Sequence, residues 1–264
     1  MKKKIVILGL LTAIIACRKV PITGRKQLSL VPESEMISLS LTSYREFLAK
    51  NPPVADSDPN AQMVKNVGAK VSQAVVEFMN QKGLSSQLQG YKWEFNLVNN
   101  KEVNAWCMSG GKVVVYSGLL PVTQTETALA CVMGHEIAHA IARHGNERMS
   151  QGLIAQAGGT ALQVALAQKP QLTKSLLLQS YGVGSQLGML AYSRTQETEA
   201  DKLGLVFMAM AGYNPSEAVA FWERMAKAGG GGAPLELLST HPSDSRRIAD
   251  IKAYLPTAMK YYKK

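Results

Sequence analysis

The sequence has few aromatic and acidic residues, and after residue 16 it lacks an apolar run suited to crossing a membrane. Aromatic residues make up 6% of the chain, and 19 acidic side chains stand against 29 basic ones. The basic residues form no run interleaved with aromatics, which argues against a nucleic-acid-binding protein. The uncharged stretch 149–168 contains too many glutamines for a membrane span, so we predict a buried or interface helix. Without spanning helices, the chain is not an intramembrane enzyme.

The most informative feature that is present is the run His-Glu-Ile-Ala-His at 135–139, within a segment that predicts a helix from about Gln124 to His144. Residues four apart lie one above the other on a helix, so His135 and His139 can bind one metal ion. Glu136 lies about 100° round the helix, beside the metal, where it can act as general base on an attacking water. The run is short enough to occur by chance, so a third ligand is needed.

The run Glu-Thr-Glu-Ala-Asp at 197–201 offers that ligand. Glu197 and Asp201 are four apart and share a helical face. A carboxylate added to two histidines leaves the fourth zinc position open, as catalytic zinc requires, so Glu197 is the predicted third ligand. Asp201 can accept the spare N–H of a ligating histidine. Glu199 lies about 200° from Glu197 on the helical wheel and is interpreted as a solvated charge. Surface ion pairs are the alternative for both Glu197 and Asp201.

Taken in order, these motifs resemble the HtpX and CaaX-prenyl-protease family of zinc metallopeptidases. Downstream, Thr-His-Pro at 240–242 is followed by Arg247 and Ile248, which also match the family. The resemblance runs from about Thr23 to Tyr254 and is closest to the periplasmic lipoprotein members, which have no membrane-spanning helices. A further matching block precedes the metal helix and consists of Asn104, Ala105, Gly110, Gly111, Gly118, Leu119 and Leu120.

The resemblance implies an α+β fold: a mainly helical, single-domain metallopeptidase of the gluzincin type, with a small β-sheet whose edge strand flanks the zinc helix. It implies one Zn²⁺ per chain. It also places His241 near the metal, where His241 either fills the fourth position in a resting state or stabilises the oxyanion. Arg247 would support the same site as a further catalytic residue. A helix-capping role before Pro242 is the alternative for His241.

The substrate backbone is expected to add as an extra strand along the sheet edge formed by Asn104, Ala105 and Trp106. Ser109 stands where relatives commonly carry proline, so the sequence leaves the cleavage preference open. Gly229 to Gly232 form a run of four glycines that we interpret as the hinge of a lid over the zinc cleft.

Residues 1–16 have the composition of a signal peptide. Three lysines at 2–4 precede an apolar run from Ile5 to Ala16 that is too short to span a bilayer comfortably. The ending Ile-Ile-Ala-Cys at 14–17 resembles a bacterial lipobox, which would make Cys17 an acylated anchor on a membrane surface. An ordinary signal peptide is the alternative. We therefore expect a signal peptide at 1–16, a lipid-anchored segment at 17–32 and a zinc metallopeptidase domain at 33–264.

The other two cysteines are Cys107, in a predicted strand, and Cys131, on the metal helix. Small buried thiols are the favoured interpretation of both. A disulfide between them is left open, since an oxidising periplasm permits one. Cys131 as a zinc ligand is disfavoured, and so is His144, which lies about 180° from His135 on the helical wheel.

Hydrophobic patterns and turn residues predict the remaining elements. Thr123 with Glu126 is the predicted capping box of the metal helix, and Gly145 is its predicted stop. Helices are predicted near 33–50 and 62–79, and around the 197–201 run as far as Gly212. A further helix is predicted to begin at 214–217. Strands are predicted at 93–98, 104–108 and 112–116.

The sequence thus predicts a membrane-anchored, periplasmic zinc metalloendopeptidase of the bacterial cell envelope. The resemblance implies that its substrates are unfolded or misassembled envelope proteins. By analogy with lipoprotein sorting, the absence of aspartate directly after Cys17 favours the outer over the inner membrane. Without the three lysines of the signal peptide, the formal charge falls from +10 to +7, which suits contact with an anionic membrane surface. A zinc-stabilised, chaperone-like binding protein is the alternative, but a pure binder has no use for Glu136 beside the metal. Oligomeric state is not predicted.

Overall fold

The computed structural model describes residues 17–20, 23–157, 170–181, 192–229, 236–241 and 245–263, and helices dominate them. The strands are β1 (Cys17–Lys19), β2 (Lys26–Leu28), β3 (Glu94–Val98), β4 (Ala105–Met108) and β5 (Lys112–Tyr116). The helices are α1 (Glu33–Lys50), α2 (Pro59–Gln81), α3 (Leu120–Thr123), α4 (Glu126–Ile141), α5 (His144–Ala157), α6 (Pro170–Ser180), α7 (Arg194–Met210), α8 (Glu217–Gly229), α9 (Glu236–Thr240) and α10 (Ser245–Ala258). The α+β class predicted from sequence is confirmed. Within these ranges, no helix combines the length and apolar character that a membrane crossing requires.

The larger sheet has the strand order β3-β5-β4, with β3 parallel and β4 antiparallel to β5. Every residue of β4 and β5 is buried, which is the pattern of strands covered on both faces. Gly110 and Gly111 join β4 to β5 at φ of 86° and 80°, in the left-handed region that glycine tolerates best. The sheet leaves β4 at its edge, packed against α4, as predicted for the strand beside the metal helix.

Two apolar clusters form the core on opposite faces of this sheet. The larger one contains Val113 and Val115 together with the inner faces of α2, α4 and α7. The smaller one contains Val114 and Trp106, packed against residues of α1, α5 and α6. The alternation along β5 therefore places the metal helix, α4, against one face of the sheet and the N-terminal helix, α1, against the other.

Helices α4 and α7 approach each other closely at a pair of glycines. A Cβ built on Gly204 would lie 2.9 Å from the main-chain nitrogen of His135, and one built on Gly134 would lie 3.0 Å from the carbonyl oxygen of Gly204. Only glycine allows this separation without a shift of backbone. The contact brings the run at 135–139 to the run at 197–201.

The metal helix differs from its prediction at both ends. Thr125, not Thr123, is its N-cap, and its hydroxyl accepts a hydrogen bond from the main-chain N–H of Ala128. The helix ends at Ile141 because Arg143 adopts φ of 59°, a left-handed conformation that interrupts the main-chain hydrogen bonds. A new helix, α5, then begins at His144, so Gly145 lies inside a helix and does not stop one.

The remaining element predictions are mostly accurate. The helix at 33–50 is confirmed at both ends, and the strand at 112–116 likewise. The helix predicted near 62–79 is longer, because Asp58 caps it and Pro59 begins it. The signal peptide and most of the predicted glycine hinge at 229–232 lie outside the described residues, as do residues 158–168 of the uncharged stretch.

The N-terminal segment is built into this fold. Strands β1 and β2 pair antiparallel, with Cys17 opposite Leu28, and β2 packs against α5. The side-chain amide of Gln27 donates to the carbonyl oxygen of Ala142, at the end of the metal helix, over 2.8 Å. Residues before α1 therefore contact the structural surroundings of the predicted zinc site.

Candidate metal centre

Four buried side chains converge between helices α4 and α7 and the loop that follows α9. His135, His139, Glu197 and His241 each present one potential ligand atom, and these atoms all lie within 4.8 Å of one another. Each residue is at most 4% exposed. The structure therefore brings together the three predicted zinc ligands and the histidine predicted to lie near the metal.

The distances among these atoms suit a tetrahedral ion. His135 Nε2 lies 3.0 Å from His139 Nε2 and 3.2 Å from His241 Nδ1. Glu197 Oε1 lies 3.3 Å from His139 Nε2 and 2.9 Å from His241 Nδ1. Ligands about 2.0–2.1 Å from a tetrahedral zinc are separated by roughly 3.3 Å, so this donor set fits the ion.

Glu136 lies beside this set and is 2% exposed. Its Oε1 has no hydrogen-bond partner among the described residues, and the Nε2 atom of His241 is 3.5 Å away. Burial raises the pKa of the Glu136 carboxyl above its usual value, although His241 and His135 oppose this effect. A buried carboxylate with a raised pKa and one oxygen free of hydrogen bonds within the described ranges is suited to accept a proton from a water molecule.

The two histidines of α4 differ in their pKa values. Burial lowers the pKa of His135, but the charge of Glu197 and the hydrogen bond to Asp201 outweigh burial and raise it to about 9. Burial lowers the pKa of His139 well below its usual value. Burial also opposes ionisation of Glu197, yet the neighbouring His241 and Arg247 hold its pKa well below the usual range. Glu197 therefore remains an anionic donor.

Asp201 and Arg247 brace one side of the donor set. Asp201 Oδ1 lies 2.9 Å from His135 Nδ1, the contact predicted for the spare N–H of a ligating histidine. The guanidinium of Arg247 donates to both oxygens of Asp201, at 2.9 and 2.8 Å, and lies 3.0 Å from Glu197 Oε2. It also stacks 3.5 Å above the ring of Trp222. Arg247 thus contacts the candidate ligand and its carboxylate neighbour, and its predicted catalytic role stays a prediction.

A second set of contacts braces His139. The Nδ1 atoms of His139 and His144 are 2.8 Å apart, and His144 Nε2 lies 3.1 Å from Glu199 Oε2. The prediction that Glu199 is a solvated charge is therefore wrong, because Glu199 is 3% exposed. His144 lies outside the cluster of potential ligands, as predicted, but its place at the start of α5 turns it towards His139.

The N-terminal segment completes this set. Thr23 Oγ1 donates to Glu199 over 2.6 Å, and Arg25 Nε donates to both oxygens of Glu199 at 3.0 and 2.9 Å. The terminal nitrogens of Arg25 each donate to an oxygen of Glu147 over 2.8 Å. Burial opposes the ionisation of Glu199, but the hydrogen bond from His144 and those from Thr23 and Arg25 lower its pKa.

Two aromatic residues near the donor set were not predicted. The ring of Tyr192 lies 3.9 Å from that of His139 and 4.8 Å from that of His241, between centroids. Trp222 lies 5.6 Å from His135. No motif marks these positions, since an isolated aromatic residue in a helical chain predicts only burial.

The edge strand that was predicted to bind substrate is present as β4, and its residues alternate in the direction of their main-chain groups. The main-chain N–H of Tyr116 donates to the carbonyl oxygen of Asn104, so Asn104 and Trp106 direct their polar main-chain groups towards β5. Ala105 and Cys107 direct their main-chain N–H and C=O groups to the free edge of β4. There the side-chain oxygen of Asn104 already accepts a hydrogen bond from the N–H of Ala105. The Trp106 ring packs 5.0 Å from Phe47 in the smaller core cluster. The role of Asn104, Ala105 and Trp106 as a substrate-binding edge stays a prediction, while the main-chain groups that face the edge belong to Ala105 and Cys107.

Cys107 and Cys131 are both buried and not bonded to each other. Burial raises the pKa of the Cys107 thiol well above its usual value and that of Cys131 to about 12. Cys131 lies outside the cluster of potential ligands. Both cysteines are thus small buried thiols, which is the interpretation favoured by the sequence. Cys17 begins β1, and its role as an anchor stays a prediction.

Comparison with known proteins gives a family match over most of the chain. The model of peptidase family M48 matches residues 66–255. A segment of 256 residues is 31% identical to the mitochondrial metalloendopeptidase OMA1 of Saccharomyces cerevisiae, covering 92% of this chain and 70% of the relative.

Two other relatives match over shorter segments. The protein of the same name from Schizosaccharomyces pombe is 37% identical over 174 residues, which cover 66% of this chain and 50% of the relative. The beta-barrel assembly-enhancing protease of Escherichia coli K12 is 32% identical over 166 residues, which cover 61% of this chain and 34% of the relative. The chain therefore spans half or less of the length of these two relatives.

Proposed function

This chain belongs to peptidase family M48 and is a zinc metallopeptidase, and on that premise we propose that His135, His139 and Glu197 hold its zinc ion and that Glu136 is its general base. The observation that carries the proposal is the tetrahedral spacing of the four buried donor atoms, with the unpartnered Oε1 of Glu136 beside them. A structural role for zinc alone would not require a buried carboxylate at that place.

The reaction is hydrolysis of an internal peptide bond. Zinc supplies Lewis acidity, which polarises the scissile carbonyl and lowers the pKa of water. Glu136 takes a proton from the attacking water and passes it to the leaving amine. Asp201 accepts from Nδ1 of His135 and so leaves Nε2 of that ring without a proton and free to bind a metal. Arg247 fixes the positions of Asp201 and Glu197.

His241 serves as a latch in this proposal. Its Nδ1 atom lies at the fourth corner of the donor set, 2.9 Å from Glu197 and 3.2 Å from His135. Substrate must take that corner, so His241 has to leave when the scissile carbonyl enters. The alternative is that its Nε2 atom, which lies 3.5 Å from Glu136 Oε1, donates to the developing oxyanion.

Cleavage of an unfolded protein by the zinc-loaded chain tests these roles. β-Casein would serve as substrate, with Glu136→Gln, His241→Ala and wild type compared at equal zinc content. We expect Glu136→Gln to abolish cleavage and His241→Ala to raise it. Loss of cleavage in His241→Ala would assign the oxyanion role and exclude the latch, and unchanged rates would exclude both. Stoichiometric zinc without cleavage by any form would instead favour the chaperone-like binding protein.

The substrates and the location belong to the same proposal. The substrates are unfolded or misassembled proteins of a bacterial cell envelope, cleaved on the periplasmic side by a chain that Cys17 anchors to the outer membrane. The name of the Escherichia coli relative refers to β-barrel assembly, which supports this assignment, whereas the yeast relatives are named as mitochondrial. Substrate would bind as an added strand along β4, through the main-chain groups of Ala105 and Cys107 that face the edge of the sheet.

Incorporation of labelled palmitate tests the anchor. In bacterial cells, we expect the wild-type chain to take up label and to fractionate with outer membranes, and Cys17→Ala to lose both properties. Cys131→Ala is the control, because that thiol is buried and should leave labelling unchanged. Unlabelled wild-type protein in the soluble fraction would contradict the anchor and leave the metal centre unaffected.

A further inference from the structure

The two histidines of the metal helix are braced in different ways. His135 has a carboxylate, Asp201, directly on its Nδ1 atom. His139 has no carboxylate there; its Nδ1 atom faces the Nδ1 atom of His144 at 2.8 Å. The carboxylate stands one step further out, since Glu199 lies 3.1 Å from the Nε2 atom of His144. All three side chains of this relay are buried.

One arrangement of protons is consistent with this geometry and with zinc on His139. A metal on Nε2 of His139 requires the ring proton on Nδ1, which then donates to His144. His144 must accept with an unprotonated Nδ1, so its own proton lies on Nε2. That N–H donates to Glu199, which as a carboxylate can only accept. The negative charge of Glu199 thus fixes the tautomers of both rings.

The charge of Glu199 is in turn held by the N-terminal segment. Arg25 donates to both carboxylate oxygens, and Thr23 donates to one of them. Arg25 is itself held by a two-point pair with Glu147. A hydrogen-bonded path therefore runs from a segment that begins at Cys17 to a predicted zinc ligand.

We propose that His144, Glu199 and Arg25 form an outer shell of the zinc site, which holds His139 in the tautomer that binds metal. These three are positioning residues and do not touch the reacting atoms. The N-terminal segment then becomes part of the metal centre and not merely a tether. This inference rests on the proposed ligand set, because it assigns a function to the contacts of His139.

Zinc affinity tests the proposal without any measurement of cleavage. The full mature chain would be titrated against a chelator that competes for zinc, as wild type and as Glu199→Gln and Arg25→Gln. Removal of outer-shell partners weakens metal binding by about 10–100-fold, so we expect a loss in that range for Glu199→Gln and a smaller one for Arg25→Gln. Glu94→Gln is the control, since Glu94 also pairs with a cation, Lys112, and accepts a hydrogen bond from it on the sheet. Its affinity should equal that of wild type.

A reference variant separates the failure of this inference from that of the ligand set. Glu197→Gln should lose zinc if the proposed ligands are right. Loss of zinc in Glu197→Gln with unchanged affinity in Glu199→Gln and Arg25→Gln would overturn the outer shell and leave the ligand set standing. Unchanged affinity in Glu197→Gln would overturn both. Circular dichroism of each variant shows whether it folds, and Arg25→Gln, in a partly exposed segment, provides the test if Glu199→Gln does not.

A spectroscopic readout distinguishes positioning from mere packing. The chain has four histidines, so the imidazole ¹⁵N spectrum of the zinc-loaded protein can be assigned with single substitutions. We expect His144 to be neutral with its proton on Nε2 in wild type, and to lose this single tautomer in Glu199→Gln. A proton on Nδ1 of His144 in the wild-type protein would overturn the proposal.

Discussion

Substitution of Gly204 by alanine should loosen the metal centre through the contact between two helices. A Cβ at this position would lie 2.9 Å from the main-chain nitrogen of His135 and 3.0 Å from its Cα atom. Ordinary contact begins at 3.4 Å. The obstructing atoms belong to backbone, so they cannot rotate away as the end of a side chain would. Helices α4 and α7 must therefore separate by about half an ångström.

The magnitude follows from two opposed effects. Overpacking a well-packed core costs about 1–3 kcal/mol. Alanine in place of glycine within a helix stabilises the folded chain by about 1 kcal/mol, because alanine has the higher helix propensity. We expect a net loss of up to about 2 kcal/mol in the free energy of unfolding of the metal-free chain. The same shift moves Glu197 away from the two histidines of α4 by about the tolerance of a functional site, roughly 0.5 Å.

Zinc affinity should therefore fall more clearly than stability does. We expect a loss of about tenfold, similar to that for removal of a partner of a metal ligand. Urea denaturation measures the change in the free energy of unfolding, and chelator competition measures the change in zinc affinity. Gly152→Ala is the control: its Cβ would meet only the end of the Leu176 side chain, at 3.0 Å, at a position of α5 eight residues beyond His144. Wild-type zinc affinity in Gly204→Ala would refute the argument that this contact sets the position of Glu197.

Three further predictions concern buried groups. Arg247→Met leaves two buried carboxylates without their guanidinium and should cost about 3–5 kcal/mol in urea denaturation, whereas Lys252→Met, which breaks an exposed pair, should cost at most about 1 kcal/mol. Because burial raises the pKa of Glu136 and a base must be ionised, kcat/KM should fall with decreasing pH through a pKa above 4.5; a fall centred at or below that value would contradict the assignment. Cys107 and Cys131 should resist a thiol reagent in the native chain and react fully after denaturation, as counted by mass spectrometry. A disulfide between them would leave both unreactive even in the denatured chain.

The sequence predicted those parts of the site that depend on spacing within one helix. Residues four apart share a face whatever surrounds the helix, so His135 with His139, and Glu197 with Asp201, could be paired from their spacing alone. The contact of Asp201 with His135 followed from the general need of a ligating histidine for an acceptor. The resemblance to a known family added His241, which no local spacing connects to the other ligands.

The parts that the sequence did not predict depend on where helices end and how they pack. A helical wheel drawn through Arg143 places His144 opposite His135, but the left-handed conformation of Arg143 breaks the helix and returns His144 to His139. A wheel also places Glu199 on the outer face of its helix. That face is buried here because the N-terminal segment covers it with Arg25, and single-helix patterns contain no information about a segment 174 residues away.

The outer shell and the proposed anchor together limit where the zinc site can lie. Arg25 is eight positions after Cys17, so even a fully extended chain would place the anchor within roughly 27 Å of the Arg25 backbone. The pairing of Cys17 with Leu28 makes the real separation shorter, because the segment folds back on itself. Gln27, next to Leu28, contacts the end of the metal helix. An acylated Cys17 would therefore hold the metal centre close to the membrane surface.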